Sequence, residues 1–142
     1  MRLLLILIFS FSSYTYANEK SILGSWKCIK DGPAATTIDK TTYSQESFQS
    51  DIFTLLLKVN GGEVLRYKTA VKGQWKLLDN TVHHQIQEIQ ITALNELASS
   101  YVKVLRKKAD NITGYSSKIH SVGPRFMSFW VSSQSLSYCF KI

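Results

Sequence analysis

Along residues 65–77, apolar, small or aromatic side chains take every second position: Leu65, Tyr67, Thr69, Val71, Gly73, Trp75 and Leu77. Arg66, Lys68, Lys72, Gln74 and Lys76 fill the places between, with Ala70 the exception. A period of two over thirteen residues predicts a long strand with one buried face and one wet face, because successive strand side chains point to opposite sides. Shorter stretches before it read the same way. Residues 22–30 put Gly24, Trp26 and Cys28 on one face, 36–43 are rich in β-branched residues, and 48–59 alternate and then become continuously apolar. Asp31-Gly32-Pro33 and Ser44-Gln45-Glu46 separate these strands, and Asn60-Gly61-Gly62 predicts a tight hairpin into 65–77. Asp79-Asn80 makes the next turn, into a mixed strand at 81–91.

The period then becomes helical. Leu94, Leu97, Ala98, Tyr101, Val104 and Leu105 form one stripe, with Thr92 suited to the N-cap and Glu96 in the first turn. Lys103, Arg106, Lys107 and Lys108 crowd the far end, where cations complement the helix dipole. This predicts an amphipathic helix over about 92–109, lying against the sheet or covering one end of it. Strands at 112–121, 125–132 and 136–142 follow, separated by Gly123-Pro124 and Ser133-Gln134-Ser135. The expected fold is mainly β, an antiparallel barrel of about eight strands with one helix before the last three.

Composition adds a compartment. The first seventeen residues carry Arg2, a continuous apolar run from Leu3 to Phe9, and Thr15-Tyr16-Ala17 as a small-x-small cleavage site. They are expected to be a signal peptide, leaving 18–142 as one barrel domain exported to the periplasm or beyond. The apolar run is too short to span a bilayer, and no transmembrane segment is expected. Beyond Ala17, sixteen Lys or Arg stand against ten Asp or Glu, a net charge of +6 that favours anionic partners. Cys28 and Cys139 lie near opposite ends of that domain and are expected to pair, with two buried free thiols as the alternative. Closing a loop of about 110 residues is worth roughly 4 to 5 kcal/mol on the chain-entropy model. A catalytic thiol is not expected, since alternation is taken to turn Lys27 and Lys141 to the opposite face.

Gly-x-Trp occurs twice, at Gly24-Ser25-Trp26 and Gly73-Gln74-Trp75. Glycine permits a sharp bend where a barrel closes, and the tryptophan two positions on plugs the end. The run Ile22-Leu23-Gly24-Ser25-Trp26-Lys27-Cys28 resembles the opening strand of lipocalin-like (calycin) barrels. The domain as a whole is similar to bacterial exported lipocalin-like proteins with a second Gly-x-Trp, a late helix and a cysteine near each terminus. That resemblance implies a small-ligand role, and an arginine packed over the first tryptophan, here Arg125.

Candidate chemistry is sparse. On a strand His84 and Glu88 would share a face, and His120 could join them at a metal; the plainer reading is polar decoration, and no metal or cofactor is expected. No nucleophile elbow, phosphate loop or paired-carboxylate pattern is present, so an enzyme is not expected. Asn111-Ile112-Thr113 is a formal glycosylation acceptor that matters only in a eukaryotic pathway. Trp26, Tyr67, Trp75, Phe126 and Trp130 are expected to point inward and line a ligand site. Arg66, Lys68, Lys72 and Lys76 share the outer face of one strand, either as ordinary solvated charge or as a surface for an anionic envelope component. Nucleic acid is not an expected partner, because basic and aromatic residues do not interleave on one face. Two functions result: a small apolar or amphipathic ligand in the barrel, or a packed scaffold whose basic face or helix meets an anionic partner. Oligomeric state is left open.

Overall fold

The alternating stretch forms β4 (Val64–Leu78), and burial follows its period: Val71, Gly73 and Trp75 are buried while Lys72, Gln74 and Lys76 are exposed. The structure is a computed structural model describing residues 17–57, 62 and 64–142. Strands β1 (Gly24–Asp31), β2 (Ala35–Tyr43), β3 (Ser47–Leu57), β4, β5 (Thr81–Ala93), β6 (Gly114–Val122), β7 (Phe126–Ser132) and β8 (Ser135–Lys141) run in chain order. Each pairs antiparallel with the next, and β8 pairs back onto β1 to close an eight-stranded barrel. Closure removes the unpaired edges that an open sheet would leave. Apart from Ala17 and Gly62, the expected leader and the Asn60-Gly61-Gly62 turn lie outside the described residues. The Asp79-Asn80 turn has positive φ at both residues, 48° and 58°, as a two-residue hairpin of matching twist requires.

One end of the barrel is shut by indoles. A single helical turn, α1 (Glu19–Ile22), is capped by Asn18 and delivers a fully buried Ile22 beneath Trp26. Trp26 is itself fully buried, and its Nε1–H donates to the Ile22 carbonyl at 2.7 Å. Trp75 Nε1–H donates to the Ser44 carbonyl at 2.7 Å, and its ring meets Tyr43 edge-on at 5.2 Å. Both glycines of the repeated motif are structurally required. Gly24 has φ +111°, and a Cβ on Gly73 would fall 1.9 Å from the Gln85 carbonyl oxygen. Cys28 and Cys139 are register partners and form a disulfide, tying the first strand to the last. Two expectations fail here. Arg125 is exposed, and the cation over Trp26 is Lys141, whose Nζ sits 5.3 Å from the ring. Lys141 is two residues from Cys139 and so shares its face, contrary to the orientation expected above.

The helix is shorter than expected. α2 spans Ala98–Ala109, while Thr92 and Ala93 belong to β5. Asn95 explains the late start: its Nδ2 donates to the Val64 carbonyl at 2.7 Å and its Oδ1 accepts from the Arg66 N–H at 3.1 Å, stitching the connection to β4. The buried face is Ala98, Val102 and Ala109, backed by Leu105, so small residues let the helix approach the sheet closely. Leu94, Leu97, Tyr101 and Val104 of the expected stripe remain largely exposed. β6 pairs with β5 only as far as Gln85, and α2 packs on Leu65, Tyr67, Ile89 and Ile91 of the β4–β5 extension. Arg106 Nε–H satisfies the Ile91 carbonyl at 2.8 Å. No described helix is long and apolar enough to cross a membrane.

Candidate functional site

Above the indole plug the inner face changes character. Registers place Cys28 of β1 beside Asp39 of β2, and Asp39 beside Ile52 of β3, at one level of the barrel. Thr41 and Ser50 sit one inward position deeper, opposite each other and both buried. Ser50 Oγ–H donates to Asp39 Oδ1. Thr41 Oγ1 is 2.7 Å from the same oxygen and 3.0 Å from Ser50 Oγ, but with a single proton it can donate to only one of them. Burial pushes the Asp39 carboxyl above its ordinary 3.8, the two hydroxyls oppose that shift, and nearby Asp51 adds to it.

A second polar group faces this one. Tyr43 OH and His84 Nε2 lie 2.8 Å apart, and the His84 ring stacks on Tyr115 with centroids 4.1 Å apart. His84 is buried, and its Nδ1 has no hydrogen-bond partner among the described residues. Desolvation lowers its pKa to about 4 against the ordinary 6.5; the Tyr115 backbone opposes this and His83 reinforces it. The imidazole is therefore neutral at pH 7, and Tyr43 and Nε2 share one proton donor between them. Burial likewise raises the Tyr43 and Tyr115 hydroxyls, keeping both protonated. A buried ring nitrogen without a partner costs about 1–3 kcal/mol.

Between these groups is a cavity of about 340 Å³, bordered also by Cys28, Ile52, Met127 and Phe129, with exposed Lys30 and Val131 at its rim. That volume lies near the lower end of small-molecule sites, about 300–1,000 Å³. Its wall is mixed: hydroxyls, one carboxyl and one imidazole are interspersed with sulfur and hydrocarbon, Cys28 and Ile52 flanking Asp39 on the neighbouring strands. A larger hollow of about 490 Å³ lies outside the barrel among Lys40, Thr42, Gln49 and Lys72, on the wet faces of β2 to β4. It contains no buried titratable group.

The five aromatic residues named from sequence do not converge on the cavity. Trp26 and Trp75 are inside but belong to the plug, their N–H groups already bonded to backbone. Tyr67 is partly buried under α2, its ring 5.9 Å from that of Tyr101. Phe126 and Trp130 point the other way. Along β7, Met127 and Phe129 are buried, so Phe126 and Trp130 fall on the outer face, where Phe126 meets exposed Tyr138 and Phe140 at 6.2 and 5.8 Å. Trp130 borders the cavity rim, but its ring stands edge-on to His120 at 4.8 Å. The cause is that outer positions of β7 and β8 are as aromatic as inner ones, so hydrophobicity cannot choose the face.

The triad His84, Glu88 and His120 is also separated. A bulge pairs Lys72 with Glu88 but Gly73 with Ile86, which rotates Glu88 outward to an ion pair with Lys72 at 3.7 Å. His120 is exposed and bonds to Ser128. Among the described residues no group of three or more His, Cys, Asp or Glu could hold a metal ion. On the outer strand face Lys68 pairs with Asp51 at 2.9 Å, leaving Arg66 and Lys76 as its exposed cations without a carboxylate partner among the described residues.

Asp39, Thr41, Tyr43 and Tyr115 line the cavity, with Ser50 behind them bonded to Asp39, and none of these was singled out from sequence. The signal lay in β2, where Thr37, Asp39, Thr41 and Tyr43 share the inner face and the apolar Ile38 lies on the outer one. No family model matches the chain, and no curated protein matches it. The architecture itself is consistent with a calycin or lipocalin-like barrel.

Proposed function

We propose that this protein is an exported, non-enzymatic carrier that holds one small amphipathic molecule in the open half of its barrel. The observation that carries this reading is the cavity of about 340 Å³ whose wall combines Asp39, Thr41, Tyr43 and His84 with the apolar Ile52, Met127 and Phe129. Such a wall suits a ligand with one polar end and one apolar end, because each buried polar group then meets a partner while hydrocarbon meets hydrocarbon. Export is supported by the leader-like residues 1–17 and by a disulfide between the first and last strands, which persists in oxidising compartments. The alternative, an anionic envelope partner on the basic face of β4, is weakened because Lys68 and Lys72 already have carboxylate partners.

The test is calorimetric titration with three small amphipaths of similar size, 2-phenylethanol, 2-phenylethylammonium and phenylacetate. At least one is expected to bind saturably at one site, and Ile52→Trp, which places an indole in the cavity, is expected to abolish that binding while the protein stays folded by circular dichroism. Absence of saturable binding by all three, or binding untouched in folded Ile52→Trp, contradicts the proposal.

A further inference from the structure

The cavity wall is not neutral. Asp39 is its only carboxylate, and both hydroxyl contacts to it fall on Oδ1. Among the described residues Oδ2 has no hydrogen-bond partner, and no cationic side chain pairs with the carboxylate. Lys30 is the only cation on the wall, and it stands at the rim, exposed, one inward position beyond Cys28. Asp39 is half-buried, and a carboxylate drawn partly out of water without a counter-charge carries a desolvation cost that a cation offsets. Asp39 therefore sits in a half-built ion pair: one oxygen is oriented by two hydroxyls and the other is available to the cavity.

The surrounding groups select what completes the pair. Tyr43, His84 and Tyr115 present aromatic surface, and a ring face attracts a cation within about 6 Å of its centroid while repelling an anion. The neutral imidazole adds no positive charge to compete with an incoming one. Ile52 and Met127 supply hydrocarbon at the level of Asp39 and across from it.

Resting on the ligand-carrier reading above, we propose that the cavity is a site for a small organic cation, a primary or secondary ammonium on a short apolar or aromatic body, with Asp39 Oδ2 as its anchor. The ammonium protons bond to the free oxygen, the rings of Tyr43 and Tyr115 flank the charge, and the apolar body lies against Ile52, Met127 and Phe129. Each element of the wall is then used, and the uncompensated carboxylate gains its partner.

The titrations with three probes separate this inference from the carrier reading. In the unsubstituted protein 2-phenylethylammonium is expected to bind about tenfold or more tightly than 2-phenylethanol, the worth of a charge-assisted over a neutral hydrogen bond, and phenylacetate least of all. Asp39→Asn keeps an acceptor for Thr41 and Ser50 and removes the charge; it is expected to erase the preference for the ammonium over 2-phenylethanol. If the alcohol binds as well as the ammonium, or the preference survives Asp39→Asn, the cation site is wrong although the carrier reading stands. If none of the three binds, both fall. The ranking in the unsubstituted protein decides the matter even if the variant does not fold.

Discussion

The two ends of the barrel are made from the same alternating strands and are filled by opposite chemistry. At the closed end, Trp26 and Trp75 each bury an indole and hand their single N–H to a backbone carbonyl, so every polar atom of the plug has a partner. Beside them the inward positions turn polar: Thr41 and His84 are the register partners of Trp26 and Trp75, Ser50 lies opposite Thr41, and Asp39 is one inward position further along β2, with a lone carboxylate oxygen and a buried Nδ1 that have no partner among the described residues. A satisfied, close-packed end is what stability selects. An unsatisfied one is tolerated where something else completes it. On the carrier reading the indoles serve folding and the polar groups beside them serve binding, and substitutions in the two sets should separate in the same way.

The largest effect is expected at the plug. Trp26→Ala should destabilise the protein by about 3–5 kcal/mol in urea unfolding, the usual range for removing a buried tryptophan, because the cavity left beside Ile22 is closed by other core residues and cannot collapse freely. Next comes the covalent tie across the closing strands. Replacing Cys28 and Cys139 by serine together should cost about 2–5 kcal/mol, read as a lower denaturation midpoint with a steeper slope, because the untied chain exposes more surface on unfolding. A midpoint unmoved in either variant would erase the contrast between the ends.

The open end makes its largest contribution through pH. His84 has a folded pKa of about 4, below its ordinary 6.5, so the unfolded chain binds the extra proton first as pH falls. Stability contributed by the neutral ring is therefore intact above about 6.5 and lost progressively down to about 4, in total about 3 kcal/mol. His84→Gln keeps an acceptor for Tyr43 and should flatten that part of a stability–pH curve measured by chemical denaturation. Asp39 has the opposite sign. Its folded pKa is raised above 3.8, so stability is lost as pH rises from 3.8 through that folded value. Asp39→Asn should accordingly change stability at pH 7 by no more than about 1 kcal/mol, and in the stabilising direction. A large loss in that variant would mean the carboxylate is a structural anchor like the indoles.

Much of the closed end was legible in the chain itself. The period of two along β4, the repeated Gly-x-Trp and the terminal cysteines each state a requirement that only one geometry meets: Gly24 for its positive φ, Gly73 for the approach of Gln85, the cysteines for neighbouring strands. The open end was not legible, for three physical reasons. β2 reverses the usual rule by turning its threonines and Asp39 inward and Ile38 outward, so a hydrophobic pattern points to the wrong face. The bulge opposite Lys72 shifts β5 by one residue, and a single-residue slip moves Glu88 to the other side of the sheet. The aromatic outer faces of β7 and β8 mimic a core-facing strand, which hides that Phe126 packs outside on Tyr138 and Phe140 while Trp130 reaches the cavity only at its rim. The helix stripe failed more mildly, because Asn95 fastens the chain to β4 and delays the helix to Ala98, leaving the larger apolar residues outside.

The most direct test of the division between the ends is to follow backbone amide and indole N–H resonances while 2-phenylethylammonium is added. The predicted result is saturable shifts at Asp39, Thr41, Tyr43, Ile52, His84 and Tyr115, with the Trp26 and Trp75 indole signals and the Lys68, Lys72 and Lys76 amides unmoved. Shifts concentrated on the outer face of β4, or at the indoles, or at no residue of the cavity, would contradict it.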